Sequence, residues 1–394
     1  MCENIKKWMI DEGVNEIGRI VNDSSYMFYY SPEKQRQIKF TAIKKAFEFH
    51  FANNKFYNDF CKNNSGITPS EITQYDDIHS IPLIPISYFE QGKSESMMTV
   101  PYKFKQLEFH TSGIGGQHTV AFRDSVSNEH ATVGLSQMFM ELFDMRFEAS
   151  PAVVYFTPSI LEAPNLGMLR ALSILGSTYA GCMHAVEKNE FKFREAYDYI
   201  NSLGMNIPVY LVAPPFILNF FLEYLVANSL KLSLNSGARI ITMGGWKRHT
   251  GKVILKEDFI RKCENIIGVS PSQIRDTYGS IVLNQLSIEC ASHSMHVPPF
   301  AEMYTRNLND NSIICKDGEL GVLSVLDPTL VTYPGFILTE DVACLKHDYN
   351  CLCGRTSTVV EIIGKVPKAD ANNCSITLDQ YLTGVTNKIN YGEK

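Results

Sequence analysis

Thr111, Ser112 and Thr119 share nine residues with Gly113, Gly115 and Gly116, in the stretch EFHTSGIGGQHTV. Hydroxyls and backbone N–H groups around such glycines can cradle a phosphate. The same stretch also reads as an ordinary turn between strands. Further on, ITMGGWKRH ends an apolar run with Gly244 and Gly245. Paired glycines let a flat ligand approach the backbone. Lys247 follows as a cation for a carboxylate or phosphate, or as a plain surface lysine. In RDTYGS, Tyr278 could stack on a base or fill a core, and Asp276 could accept from an amino group. In LTEDVACL, Glu340 and Asp341 stand where a strand emerges. An acid there can hold ribose hydroxyls, or be an exposed turn acid.

Soft ligands gather in two places. IECASHSMH supplies Cys290, His293 and His296, and CLKHDYNCLCGRTS supplies Cys344, His347, Cys351 and Cys353. Cysteine sulfur and imidazole nitrogen suit tetrahedral zinc. The CxC spacing is less typical of such sites than CxxC, and buried thiols also serve as small apolar residues. Cys374 stands alone in the polar stretch DANNCSITL, where an accessible thiol can act as a nucleophile.

These residues need a scaffold of strand ends and turns. PAVVYFTPS, IPVYLVAPP, ARIITMGG and QIRDTYG are short apolar runs that stop at Gly, Pro or polar residues. Helical patterns such as FILNFFLEYLVAN and KEDFIRKCENII lie between them. Alternating strands and helices predict an α/β fold with parallel-rich sheets flanked by helices, with ligands at the carboxyl ends of the strands. After residue 300 the pattern turns β-rich. Near the N-terminus, Phe40, Ile43, Phe47 and Phe51 fall on one helix face, whereas IPLIPISYF reads as a proline-punctuated connector. The division expected is one large domain over 1–362 and a short mobile tail or lid over 363–394 that carries Cys374.

The chain has 394 residues, 45% of them hydrophobic, which is ordinary globular chemistry. A net charge of −6 provides no global attraction to nucleic acid or acidic membranes. No apolar run approaches a membrane span, and the charged first residues do not read as a secretory signal. The expectation is a cytoplasmic protein whose ten cysteines are reduced thiols, metal ligands or catalytic groups.

The order of these motifs resembles the adenylate-forming ligases, and most closely the acyl-protein synthetase (LuxE) family of bacterial luminescence. GGWK (244–247), QIRDTYG (273–279), HVPP (296–299), YPGFILTEDV (333–342) and CSITL (374–378) carry the resemblance, which spans about residues 35–380. It implies that a carboxylic acid, typically a fatty acid, reacts with ATP to give an acyl-adenylate. Thr111, Ser112, Gly113 and Gly116 would hold the phosphates. Gly244, Gly245, Tyr278 and Asp276 would line the base and acyl pocket, with Lys247 as a catalytic cation. Asp341, helped by Arg355, would bind the ribose. Cys374 would take the acyl group as a thioester and deliver it to a partner reductase or other acceptor protein. CLCGRTS is similar to the CxCGRT segment of phenylacetate–coenzyme A ligase relatives, which implies a structural zinc on Cys290, His296, Cys351 and Cys353.

The chain departs from the family's pattern at definite points. Ile114, Gly115 and His118 stand where the loop usually carries Thr or Ser and then a lysine. Val282 stands where an acid usually helps hold Mg2+. Losing a phosphate cation and a magnesium ligand weakens ATP activation. Two other expectations therefore stand beside the ligase: an ATP-independent acyltransferase or condensing variant that takes a preactivated acyl group, and a non-catalytic subunit of a reductase complex.

Overall fold

The computed structural model describes residues 8–90, 93–111, 119–144, 150–167, 169–171, 181–188, 190–244 and 254–365. The N-terminal layer is helical: α1 (Glu12–Asn22), α2 (Pro32–Asn53) and α3 (Lys55–Asn64). Ser31 caps α2, accepting from Lys34 N, and Pro32 opens it, where a missing N–H costs nothing. Ile43 and Phe47 of α2 are buried, with Phe40 and Phe51 packed beside them in the same core, so the helix face read from the sequence holds. IPLIPISYF is more ordered than a connector. It forms a short strand β1 (Ile84–Pro85) and a helical turn, Ser87–Glu90. β1 runs parallel to residues 337–338, and Ile86 N donates to Leu338 O at 2.9 Å, so the segment borrows order from a neighbouring strand.

A hairpin of β2 (Leu107–His110) and β3 (Val120–Arg123) leads into α4 (Ser125–Leu142). Next come β4 (Ala152–Tyr155), β5 (Gly181–His184), the small pair β6 (Val186–Glu187) and β7 (Glu190–Phe191), α5 (Phe193–Leu203), β8 (Val209–Ala213), α6 (Pro215–Ala227), β9 (Arg239–Met243), α7 (Lys256–Ile267) and β10 (Ile274–Gly279). The rest is β-rich, as expected: β11 (Leu286–Glu289), β12 (Met295–His296), β13 (Glu302–Arg306), β14 (Gly321–Leu326), β15 (Phe336–Lys346) and β16 (Val359–Lys365).

One mixed sheet joins most of these strands, in the order β13-β14-β15-β16-β12-β11-β10-β9-β8-β4-β5, with β1 beside β15. From β10 to β5 the pairs are parallel; from β10 to β13 they are antiparallel. β4, β8 and β9 are largely apolar on both faces because both are covered. Val154, Leu211 and Ile240 pack under α5, α6 and α7, while Val153, Tyr210 and Ile241 pack under α4. No helix among the described residues is long and apolar enough to cross a membrane. β16 continues to Lys365, through the division expected at residue 362, and residues 366–394 lie outside the described part.

A buried arginine ties the hairpin to the rest. Arg123 is 2% exposed. Its Nε donates to Asn284 Oδ1 at 2.6 Å, Nη1 to Tyr333 Oη (2.6 Å) and Phe122 O (2.8 Å), and Nη2 to Ile281 O (2.9 Å) and Leu283 O (2.8 Å). All five guanidinium N–H groups are thereby used. Next to it Asp124 caps α4 through Val126 N and also accepts from Ser127 Oγ and Thr332 Oγ1, both at 2.6 Å. Asp327 accepts the backbone N–H groups of Asn284 and Gln285 at 2.8 Å each.

A second polar cluster staples the helical layer to β13. The Glu302 carboxylate has no exposed surface and meets Lys39 Nζ at 2.8 Å, His347 Nε2 at 3.3 Å and His79 Nε2 at 3.5 Å. His347, read above among the soft ligands, is thus an ion-pair residue, with Asp317 on its Nδ1 side at 2.5 Å. Burial alone would raise the Glu302 carboxyl, but Lys39 and the imidazoles outweigh it and hold it well below its ordinary value. Burial opposes charge on His347, yet Glu302 and Asp317 more than offset it, raising its pKa from 6.5 to about 9.

Two outcomes follow for stability. Arg123→Met leaves several buried oxygens without donors and lowers unfolding stability by at least about 3 kcal/mol in urea titrations, at about 1–3 kcal/mol for each unsatisfied group. For His347 the folded pKa lies above the unfolded one. Its contribution is therefore full below pH 6.5 and fades as pH rises through about 9. Urea midpoints measured across that window fall for the wild type and flatten in His347→Asn.

Candidate functional site

The carboxyl ends of β9 and β10, the β2–β3 hairpin and the middle of β15 carry the residues singled out by the sequence. At the hairpin, Thr111 N donates to Thr119 O and Thr119 N donates to Thr111 Oγ1, each at 3.0 Å. This reciprocal pair closes the base of the Gly-rich loop. Both threonines are buried, and the Thr111 hydroxyl is engaged in the loop's frame. Ser112, Gly113, Ile114, Gly115, Gly116 and His118 lie outside the described residues, as do Gly245 and Lys247. Gly244 is described and takes φ 76°, a left-handed turn at the end of β9 that a side chain would strain.

Tyr278 is half-buried on β10, and its hydroxyl donates to Asp341 Oδ2 on β15 at 2.6 Å. Burial, then the Asp341 charge, pushes the phenol well above its ordinary pKa, so it stays a donor. Two residues 63 positions apart thus form one polar edge with an aromatic face behind it. Asp276 lies on the same strand. Its Oδ1 accepts from Thr242 Oγ1 (2.8 Å) and Thr277 N (2.9 Å), and Oδ2 receives no hydrogen bond among the described residues. Burial, then the nearby Glu289 charge, raises the Asp276 carboxyl to about 6.

Arg355 does not stand with Asp341. The cross-strand register pairs Asp341 with Lys365 and Lys346 with Val359, so the turn carrying Arg355 is at the opposite end of β15 and β16. Five residues of strand put roughly 16 Å between the two ends. There, Arg355 Nε donates to Glu141 Oε1 at 2.9 Å and Nη2 to Glu141 O at 2.7 Å, and Tyr29 Oη donates to the same carboxylate at 2.5 Å. The residue across the sheet from Asp341 is Lys365, a neighbour that only the register reveals.

Among the described residues, the position of the implied magnesium acid and the two candidates to replace it are all engaged elsewhere. Val282 is fully buried in the apolar core. Asn284 is bonded at both ends of its amide, to Arg123 and to Ser127 O. Glu289 is 2% exposed and engaged with Asp276 N, Lys256 and His293. Residues 280–285 hold no carboxylate, so they do not fit a magnesium ligand, and none is assigned there.

The soft ligands do meet. Cys290, His296, Cys351 and Cys353 place one donor atom each within 4.8 Å of all the others, an arrangement that could hold a metal ion. Cys290 Sγ and Cys351 Sγ are 3.7 Å apart, and Cys353 Sγ and His296 Nε2 are 3.3 Å apart. Edges of a tetrahedron with metal–sulfur bonds of about 2.3 Å are about 3.8 Å for S···S and about 3.5 Å for S···N, so the donor set fits. His296 Nδ1 bonds Ser357 Oγ at 2.8 Å, which leaves Nε2 to face the cluster. His293 turns away, with Nδ1 3.4 Å from Glu289 Oε2. Burial pushes the Cys290 thiol up to about 12. At Cys353 burial is outweighed by His296 and Arg355, which hold the thiol below its ordinary value. A bound cation would override these values by deprotonating a coordinating thiol outright.

Comparison with known proteins adds the following. The model of the family described as "Acyl-protein synthetase, LuxE" matches residues 9–383. The chain is 25% identical over 357 residues to a long-chain-fatty-acid–luciferin-component ligase of Vibrio harveyi, covering 90% of each chain. It is 25% identical over 323 residues to the ligase of the same name from Aliivibrio fischeri, covering 81% of this chain and 82% of that one. Among solved structures it is similar to 2-hydroxyisobutyryl-CoA ligase in complex with 2-HIB-AMP and CoA in the thioesterification state, with a TM-score of 0.64, 14% identity, and coverage of 85% of this chain and 69% of that one. The open conformation of that ligase gives a TM-score of 0.62 at 12% identity, covering 84% of this chain and 75% of that one. These structural likenesses establish a mixed α/β fold of the adenylate-forming ligase type.

The electrostatics of Asp276 predict a measurable titration. Its carboxyl titrates near pH 6 by 13C NMR, and Glu289→Gln moves that midpoint down toward ordinary carboxylate values by removing the adjacent charge.

Proposed function

The chain belongs to the acyl-protein synthetase (LuxE) family, and from that premise we propose an acid–thiol ligase that activates a fatty acid with ATP and carries the acyl group on its own Cys374. A substrate carboxylate oxygen attacks the α-phosphorus of ATP, the bond to the bridging oxygen breaks, and pyrophosphate leaves. The Cys374 sulfur then attacks the acyl carbon, the bond to the AMP oxygen breaks, and the thiol proton passes to solvent. The mixed anhydride is a strong acyl donor and a thiolate a strong nucleophile. The acyl group goes on to an acceptor protein, for which a reductase is the partner we propose.

In this reading Thr111 and Thr119 frame a loop in which Ser112, Gly113 and Gly116 meet the phosphates. Gly244, Gly245 and Tyr278 flank the base, Asp276 accepts from its amino group, Asp341 takes the ribose hydroxyls, and Lys247 supplies positive charge near the reacting carboxylate. Arg355 has no part in it, and no step is routed through magnesium. Residues 366–394 serve as the carrying segment. Zinc on Cys290, His296, Cys351 and Cys353 is the structural metal we propose. The described cysteines are free thiols, which suits a reducing, cytoplasmic setting.

The observation that carries the reading is the Tyr278–Asp341 hydrogen bond, which joins the carboxyl end of β10 to the middle of β15, in a chain that matches the family over residues 9–383. Both named relatives are ligases. They favour neither an ATP-independent acyltransferase nor a non-catalytic subunit.

Pyrophosphate exchange with a panel of saturated fatty acids tests the first step, and Asp341→Ala lowers its kcat/KM at least about tenfold, equivalent to about 1.4 kcal/mol. Intact-mass spectrometry detects an acyl adduct that Cys374→Ala loses while exchange persists. Absence of exchange with every acid tried would sink the proposal. Elemental analysis finds about one equivalent of zinc, and Cys290→Ser lowers both zinc content and melting temperature.

A further inference from the structure

Glu289 belongs to neither the nucleotide residues nor the metal ligands, yet it touches elements of both. It is 2% exposed, on β11, immediately before Cys290. Its Oε2 accepts the backbone N–H of Asp276 at 3.1 Å, so a side chain supplies the acceptor that this buried N–H requires. Its Oε1 pairs with Nζ of Lys256, the first residue of α7. His293 Nδ1 approaches Oε2 at 3.4 Å from the turn that joins Cys290 to His296. That turn is closed by Cys290 N to Ser294 O (2.9 Å) and His293 N to Cys290 O (3.0 Å). His293 sits in it at φ 58°, an uncommon conformation outside glycine. One buried carboxylate thus gathers the metal turn, the start of α7 and the strand that presents Asp276.

We propose that Glu289 is a positioning residue for adenylate formation: it fixes Asp276 against the nucleotide base and anchors that strand to the metal turn. This rests on the nucleotide reading of the same site. Asp276 has one carboxylate oxygen occupied by Thr242 and Thr277, and the other receives no hydrogen bond among the described residues. An acceptor of this kind is useful only if its backbone is held, and Glu289 holds it directly. The effect of Glu289 therefore falls on ATP recognition rather than on the chemical step.

The test is ATP–pyrophosphate exchange by Glu289→Ala, Glu289→Gln and His293→Ala, with metal content and melting temperature measured on each. Glu289→Ala raises KM for ATP about tenfold, the effect expected of one charge-assisted hydrogen bond, with a smaller change in kcat. Glu289→Gln keeps an oxygen for Asp276 N and returns KM to within about threefold of wild type, a rescue that lost packing would not give. His293→Ala lies between the two. Metal content equal to that of wild type in all three assigns the effect to the nucleotide side. The inference is overturned if Glu289→Ala keeps a KM within twofold of wild type, or if the rise in KM accompanies loss of metal. If the alanine variant does not fold, the glutamine and His293 variants decide by the same criteria: a KM unchanged in His293→Ala, or a glutamine variant no better than tenfold, overturns it. A wild-type protein without exchange overturns the nucleotide reading itself, and this inference with it.

Discussion

The buried guanidinium of Arg123 is the constraint on which the site depends. A charge in the interior is tolerated only when its donors are all met. Here they are met by the carbonyls of Phe122, Ile281 and Leu283, the amide of Asn284 and the hydroxyl of Tyr333. Apart from Phe122, those acceptors lie on the chain that follows Tyr278 and on the loop before β15. The arginine itself closes the strand that leaves the Gly-rich hairpin. Three segments far apart in sequence are thus held to one geometry by one side chain. Asp124 and Asp327 extend the network, so α4 starts at the same point.

The sheet has two regimes, and the site lies where they join. From β10 to β5 the pairs are parallel, with β4, β8 and β9 covered on both faces by helices; from β10 to β13 they are antiparallel. β10 therefore has a parallel neighbour on one side and an antiparallel one on the other. Tyr278 and Asp276 sit on that strand, and Glu289 on its antiparallel neighbour.

Much of this was legible in the sequence, because it depends on local pattern. Apolar runs that stop at Gly or Pro marked β4, β8, β9 and β10, and the four soft ligands stood in two short motifs. The spacing of Cys351 and Cys353 could not say which histidine stands beside them; in the fold it is His296 whose ring nitrogen meets the three sulfurs. What stayed hidden depends on register. The resemblance implied Arg355 as a helper to Asp341 at the ribose, but the rest of β15 and the turn after it separate the two. Lys365 gave no signal, and Glu289 suggested only a substitute for the missing acid at Val282, since their neighbours lie across the sheet and not along the chain. The proline-punctuated segment at 81–89 was misread for a related reason: its order comes from β15.

The pairing of Asp341 with Lys365 also sets the length of a leash. Lys365 is the end of β16, opposite the acid at the site, and Cys374 follows it by nine residues. A fully extended chain spans at most about 3.3–3.6 Å per residue, so the sulfur can travel no more than about 30 Å from that anchor. On the proposed reading, an acceptor protein that draws an acyl group from Cys374 brings its own reactive group within that reach of Lys365.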